Sequence, residues 1–363
     1  MPDAPQQVLK NLLSNMQQLG ASDMHLKPGH APFFRSKGVL RAAKMPPVPD
    51  SEYIVAMLEG LIPESRRDEF PETGAVDFAT RDDSGGRYRV NMFRSMGETH
   101  ATFRRVLNQV PTFEELNLPP IYRHTIENTN EGLVLVSGMT GAGKSTTLAS
   151  MVNHVNQNRR VHIVTIEDPI EFIFEPRRAI ISQREIGLDV RDYHEALRAV
   201  VRQDPDCILI GELRDRQTIV AALQAAETGH LVFGSVHVAD TQQTFNRILE
   251  YFPRAEHQFV RSTMASSFQG IFCQRLLPGI EPGTNFPATE VLIKTPAVKD
   301  MIMQARDLDI PGLIDKSAEE GMRSFTRSLC ELVDSHKVHF DAALSVAPNR
   351  DALKSALRGI KGS

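Results

Sequence analysis

Residues 131–147 read EGLVLVSGMTGAGKSTT, in which a short apolar run at 133–136 passes directly into Gly138-x-x-x-x-Gly143-Lys144-Ser145. Helix formers follow at Thr147, Leu148, Ala149 and Met151. This is the phosphate-binding loop pattern with a strand before it and a helix after it, the context that gives the pattern its meaning. Gly138, Gly141 and Gly143 leave the backbone bare. Successive N–H groups, those of Thr140, Ala142 and Thr146 included, can therefore turn inward around phosphate oxygens, and the positive end of the following helix dipole points at the same spot. Lys144 adds a mobile charge for the β and γ phosphates, and Ser145 a hydroxyl for Mg²⁺. The stretch predicts a nucleoside triphosphate site.

Downstream of the loop, strand and helix alternate. Apolar strands are read at 162–166, 207–210 and 231–236, with helices carrying Tyr193, Ala196, Leu197, Val200 and Val201 and then spanning about 216–227. That alternation predicts an α/β fold, a mostly parallel sheet covered by helices. From about residue 241 the chain reads as mainly helical, with Phe245, Ile248, Leu249, Leu329, Leu332 and Val333 on buried faces. Upstream, Val8, Leu9, Leu12, Leu13, Met16 and Leu19 share one face at helical spacing, and Gly20 is the stop. Strand-like segments near 24–26, 33–35, 75–78, 87–93 and 99–105, with a helix near 52–61, make residues 1–108 a small α+β domain. Pro111, Pro119 and Pro120 mark residues 109–122 as a linker, leaving 123–363 as the second domain.

The bulk numbers fit this division. A chain of 363 residues is long for one core, which suggests two or three domains. With 41% hydrophobic and 24% charged residues it reads as an ordinary globular protein, and no segment resembles a membrane span. The first residues, MPDAPQQVLK, lack the basic start and apolar run of a secretory signal, so a cytoplasmic location is expected. Cys207, Cys273 and Cys330 are widely separated and match neither a disulfide framework nor a zinc ligand set. A net charge of −4 argues against a broad nucleic-acid-binding surface.

In sheets of this kind ligands collect at the carboxyl ends of the strands. Here one strand runs into Glu167-Asp168-Pro169, another into Gly211-Glu212, and the strand after His230 ends at His237. ATP hydrolysis needs one carboxylate to orient or deprotonate the attacking water and another to hold hydrated Mg²⁺. Glu167 and Glu212 are the candidates.

The succession GMTGAGKSTT, TIEDPIEF, ISQREIG, LRAVVRQDPDCILIGELRD and AAETGHLVFGSVH closely resembles the PilT family of type IV pilus retraction ATPases, within the wider secretion ATPase superfamily. The resemblance continues through GASDMHL (20–26), RYRVNMF (87–93) and GMRSFTRSL (321–329), so it covers nearly the whole chain. It implies a RecA-like P-loop NTPase domain with a helical C-terminal region, preceded by an α+β, PAS-like domain. It implies ATP and Mg²⁺ as ligands, with Glu167 as the water-activating residue of the aspartate box. Glu212 matches the variant Walker B carboxylate that, with Ser145, handles the metal. His230 and His237 match the histidine box, and Arg89 and Arg104 match arginines of the N-terminal domain that reach nucleotide phosphates. Arg87 and Arg105 sit beside them. The implied assembly is a homohexameric ring at the pilus base, peripheral to the inner membrane. Its implied partners are an inner-membrane platform protein and a paralogous retraction ATPase, with no direct nucleic acid and no membrane insertion.

Two departures from the family pattern stand out. Met139 and Ala142 replace the Pro and Ser usual in retraction ATPases, while the glycines, Lys144 and Ser145 are kept. The family's C-terminal signature, AIRNLIRE, is matched at 297–304 by AVKDMIMQ, which keeps apolar positions and loses both arginines and the terminal acid. The tail APNRDALKSAL (347–357) is more similar to the PilU-like accessory branch. Other readings are a pilus assembly or secretion ATPase, which usually has a longer N-terminal region and often a four-cysteine zinc motif that three scattered cysteines cannot supply, and a nucleic-acid translocase. For the translocase, an aromatic content of 6% without Trp offers few groups to stack on bases.

Overall fold

The computed structural model describes residues 4–36, 38–106 and 109–360. The chain divides into two units, Met1–Asn108 with Glu171–Ile173, and Gln109–Ile170 with Phe174–Ser363.

The first unit opens with α1 (Pro5–Gln18), whose Leu9, Leu12, Leu13 and Met16 are buried at the predicted spacing. Leu19 is the exception: it follows the last helical residue as the C-cap and is 59% exposed, because the helical stripe ends one turn earlier. Then come β1 (Asp23–Leu26), β2 (Phe33–Ser36), β3 (Val39–Ala42), α2 (Ser51–Leu58), α3 (Glu69–Thr73), β4 (Ala75–Arg81), β5 (Arg87–Ser95) and β6 (Glu98–Arg105). The six strands form one sheet in the order β3-β2-β1-β6-β5-β4, antiparallel throughout. Met24, Leu26, Val90, Met92, Ala101 and Phe103 turn one face toward α1 and α2, and together they make this unit's core. Strand alternation sends Asp23, Arg89 and Arg104 to the other face.

The second unit carries α4 (Pro120–Glu127), β7 (Gly132–Ser137), α5 (Lys144–Asn158), β8 (His162–Glu167), β9 (Ile180–Glu185), α6 (Tyr193–Val200), β10 (Cys207–Ile210), α7 (Arg216–Glu227) and β11 (Leu231–Val236). After these follow α8 (Thr241–Glu250), α9 (His257–Ser267), β12 (Phe268–Pro278), β13 (Asn285–Ile293), α10 (Pro296–Met303), α11 (Ile310–Lys316), α12 (Phe325–Asp334), α13 (Phe340–Val346) and α14 (Arg350–Ile360). The sheet order is β13-β12-β7-β11-β10-β8-β9, parallel from β12 to β9, with β13 antiparallel at one edge. Every residue of β7, β10 and β11 is buried, as strands covered on both faces must be. This is the α/β fold with helices around a central parallel sheet. The region after residue 241 is mainly helical as expected, and it adds the ribbon β12–β13 to the sheet, which the sequence reading did not place. Among the described residues no helix is long and apolar enough to cross a membrane.

Candidate nucleotide-binding site

The strand order sets the site. Because β7, β11, β10 and β8 are successive neighbours, the segments leaving their carboxyl ends lie side by side: the glycine loop, His237, Glu212 and Glu167. The loop is tightly wound. A Cβ on Gly138 would lie 2.7 Å from the Gln274 carbonyl oxygen and 2.8 Å from the Ala142 Cβ, so only a glycine passes between β12 and the loop. Gly143 caps α5 at φ 85°, a left-handed conformation that costs glycine little. From there α5 begins at Lys144 and directs the N–H groups of its first turn, which lack intrahelical acceptors, toward the loop. Ser145 is exposed, Thr146 is half-buried, and Thr140 lies exposed at the loop tip.

Lys144 is 7% exposed. Its Nζ donates to the carbonyls of Gly138 (2.8 Å) and Met139 (3.2 Å) and lies 3.5 Å from His237 Nδ1. His237 Nε2 in turn lies 3.7 Å from Glu212 Oε1. One strand further along, Glu167 receives the Thr165 hydroxyl at 2.6 Å and the Gln183 amide at 3.4 Å on the same oxygen, Oε1. Arg214 pairs with Asp168 at 3.5 Å and lies over the Tyr193 ring. Burial pushes the Tyr193 hydroxyl far above the ordinary phenol value. The carboxylate of Asp168 adds to this, Arg214 opposes it, and Glu167 and Glu212 raise it further.

The structure brings together the loop residues 138–146, Glu167, Glu212 and His237. It does not bring His230 to them. His230 precedes β11 at the opposite end of the sheet, where its carbonyl accepts from Gly132 N and its ring Nδ1 contacts the Ala225 carbonyl at 2.9 Å. The seven residues of strand from there to His237 span roughly 23 Å. Arg89 and Arg104 belong to the first unit and are cross-strand partners on β5 and β6. Arg104 Nε donates to Asp23 Oδ1 at 2.8 Å, and Arg35 approaches the other oxygen of the same carboxylate at 3.7 Å.

Sequence reading missed three participants: Thr165, Gln183 and Gln274, whose amide donates to Thr147 Oγ1 at 2.9 Å. Only Thr165 left a trace in the sequence, its i, i+2 spacing from Glu167 on a strand. Beside the loop, Leu116, Leu118, Gly143, Thr146, Gln274 and Pro287 are among the residues lining a cavity of about 220 Å³. Among the described residues no three or more His, Cys, Asp or Glu side chains converge on a metal position. The exposed Ser145 hydroxyl at a helix N-terminus suits a cation held otherwise by water and phosphate oxygens. The glycine cradle and Lys144 suit the phosphates themselves.

Comparison with known proteins places the chain in a family. The family model described as "Type II/IV secretion system protein" matches residues 3–309. The type IV pilus retraction ATPase PilT of Pseudomonas aeruginosa is 38% identical over 90% of this chain and 94% of its own length. The type IV pilus ATPase PilU of the same organism is 34% identical over 96% of this chain and 91% of its own. A crystal structure of the pilus retraction motor PilT with bound ADP superposes with a TM-score of 0.88 at 35% identity, covering 95% of this chain and 98% of the other.

Proposed function

Since the chain belongs to the type II/IV secretion system protein family and is a P-loop ATPase, we propose that it hydrolyses ATP to drive retraction of a type IV pilus. The observation that carries this reading is the line Lys144, His237, Glu212, Glu167 along one sheet edge, in a chain so closely similar to a retraction ATPase. In it, backbone N–H groups of residues 138–146 and the Lys144 ammonium hold the substrate's phosphates. Ser145 and Glu212 would hold Mg²⁺, which supplies charge against the bridging oxygens. Glu167 accepts a proton from, or orients, the attacking water. His237 couples Lys144 to Glu212. Arg89 and Arg104, borne by the first unit, supply positive charge to the transferring phosphoryl group, which makes catalysis conditional on movement. The working form is a homohexameric ring, cytoplasmic and peripheral to the inner membrane, acting on a platform protein at the pilus base.

A second reading is a PilU-like accessory ring that assists an active paralogue. It is favoured by the 96% of this chain matched by PilU and by the sequence AVKDMIMQ at 297–304. Deletion with complementation tests the reading: excess pili without twitching support retraction, and absent pili indicate assembly. ATP turnover by the purified chain separates motor from accessory.

A further inference from the structure

Thr165 is fully buried in β8 between Val164 and Ile166. A hydroxyl in such surroundings is unfavourable unless it is hydrogen-bonded. Its partner is specific: Oγ1 donates to Glu167 Oε1 at 2.6 Å, a short, charge-assisted bond, and strand alternation puts both side chains on one face. Gln183, the register partner of Thr165 on β9, approaches the same oxygen at 3.4 Å, while its own carbonyl oxygen accepts from Phe174 N at 3.0 Å. Oε1 of the glutamate thus receives a donor from its own strand and one from the neighbouring strand.

We propose that Thr165 is a positioning residue for ATP hydrolysis, orienting the carboxylate of Glu167 toward the attacking water. This rests on the reading of Glu167 as the group that handles that water. The test uses the full-length chain with Thr165→Val, Thr165→Ser, Thr165→Ala and Glu167→Gln, measuring ATP turnover, KM and melting temperature. Thr165→Val should lower kcat about tenfold or more with KM changed by less than about twofold, and Thr165→Ser should recover most of the loss. Should Val fail to fold, Ser against Ala isolates the same hydroxyl at nearly equal volume. Parental kcat in Thr165→Val alongside an inactive Glu167→Gln would overturn the positioning role and leave Glu167 in place. Full turnover in Glu167→Gln would instead remove the reading of Glu167. A loss that Ser does not relieve marks a packing defect and also overturns the proposal.

Discussion

Lys144 shows how one side chain can be both buried and available. Its stem is enclosed, yet its ammonium is satisfied by two carbonyls of its own loop and lies near His237. Phosphate oxygens are stronger acceptors than carbonyls, so the charge can transfer to them at little cost. Lys144→Ala should therefore weaken nucleotide binding by about a hundredfold or more, read by calorimetry, and unchanged affinity would refute the loop assignment. Glu167→Gln should keep nucleotide binding and lower turnover by at least about a hundredfold. A larger loss of turnover in Glu212→Gln, with Mg²⁺ affinity intact, would reverse the two carboxylate roles. The candidates at this scale were legible because a loop motif and strand-end acids are local signals. Thr165 left no more than its spacing from Glu167, since a threonine in a strand reads as packing until its partner is known.

Among the elements, the sheet of the first unit carries a row that its register creates. Arg35, Asp23, Arg104 and Arg89 are successive cross-strand partners on β2, β1, β6 and β5. Burial alone would raise the Asp23 carboxyl, but hydrogen bonds from Arg104 and Ser22 and the charges of Arg104 and Arg35 outweigh it and hold the group below its usual value. A carboxyl lowered on folding contributes stability that is complete above its unfolded value near pH 3.9 and is lost as pH falls through the folded value. Asp23→Asn should thus cost about 1 kcal/mol at pH 7, a figure kept small because the Arg104 side chain is 66% exposed. It should also lose less stability than the parent below about pH 4. Denaturant melts at pH 7 and pH 3 decide this, and parallel pH dependence would contradict it. The helix α1 was readable from its period, whereas β12 and β9 were not. β12 (FQGIFCQRLLP) alternates poorly, and β9 is an edge strand with one fully buried residue, Glu185, so neither carries a clear period of two.

For the whole molecule, the proposed motor needs charge that comes and goes with movement, and Arg104 is its candidate source. Asp23 fixes that arginine through Nε at 2.8 Å. Arg104→Ala should leave ATP affinity within about twofold and lower turnover of the assembled protein on the scale of an arginine finger, about a thousandfold or more. Light scattering should find a particle six times the 40.5 kDa chain in both parent and variant. Parental turnover in the variant would count against the role. The sequence by itself marked the glycine loop, the acids at the strand ends and the buried faces of the clearly periodic helices and strands. Each of these depends on residues a few positions apart, and local periodicity records them directly. Only the tertiary structure decided that β11 and β10 lie between β7 and β8, which lines up Lys144, His237, Glu212 and Glu167 and leaves His230 at the far end. It alone set Asp23 between Arg35 and Arg104, and Thr165 opposite Gln183. Those pairings join strands distant in sequence, and their register follows from which faces must be buried together rather than from any one strand's own residues.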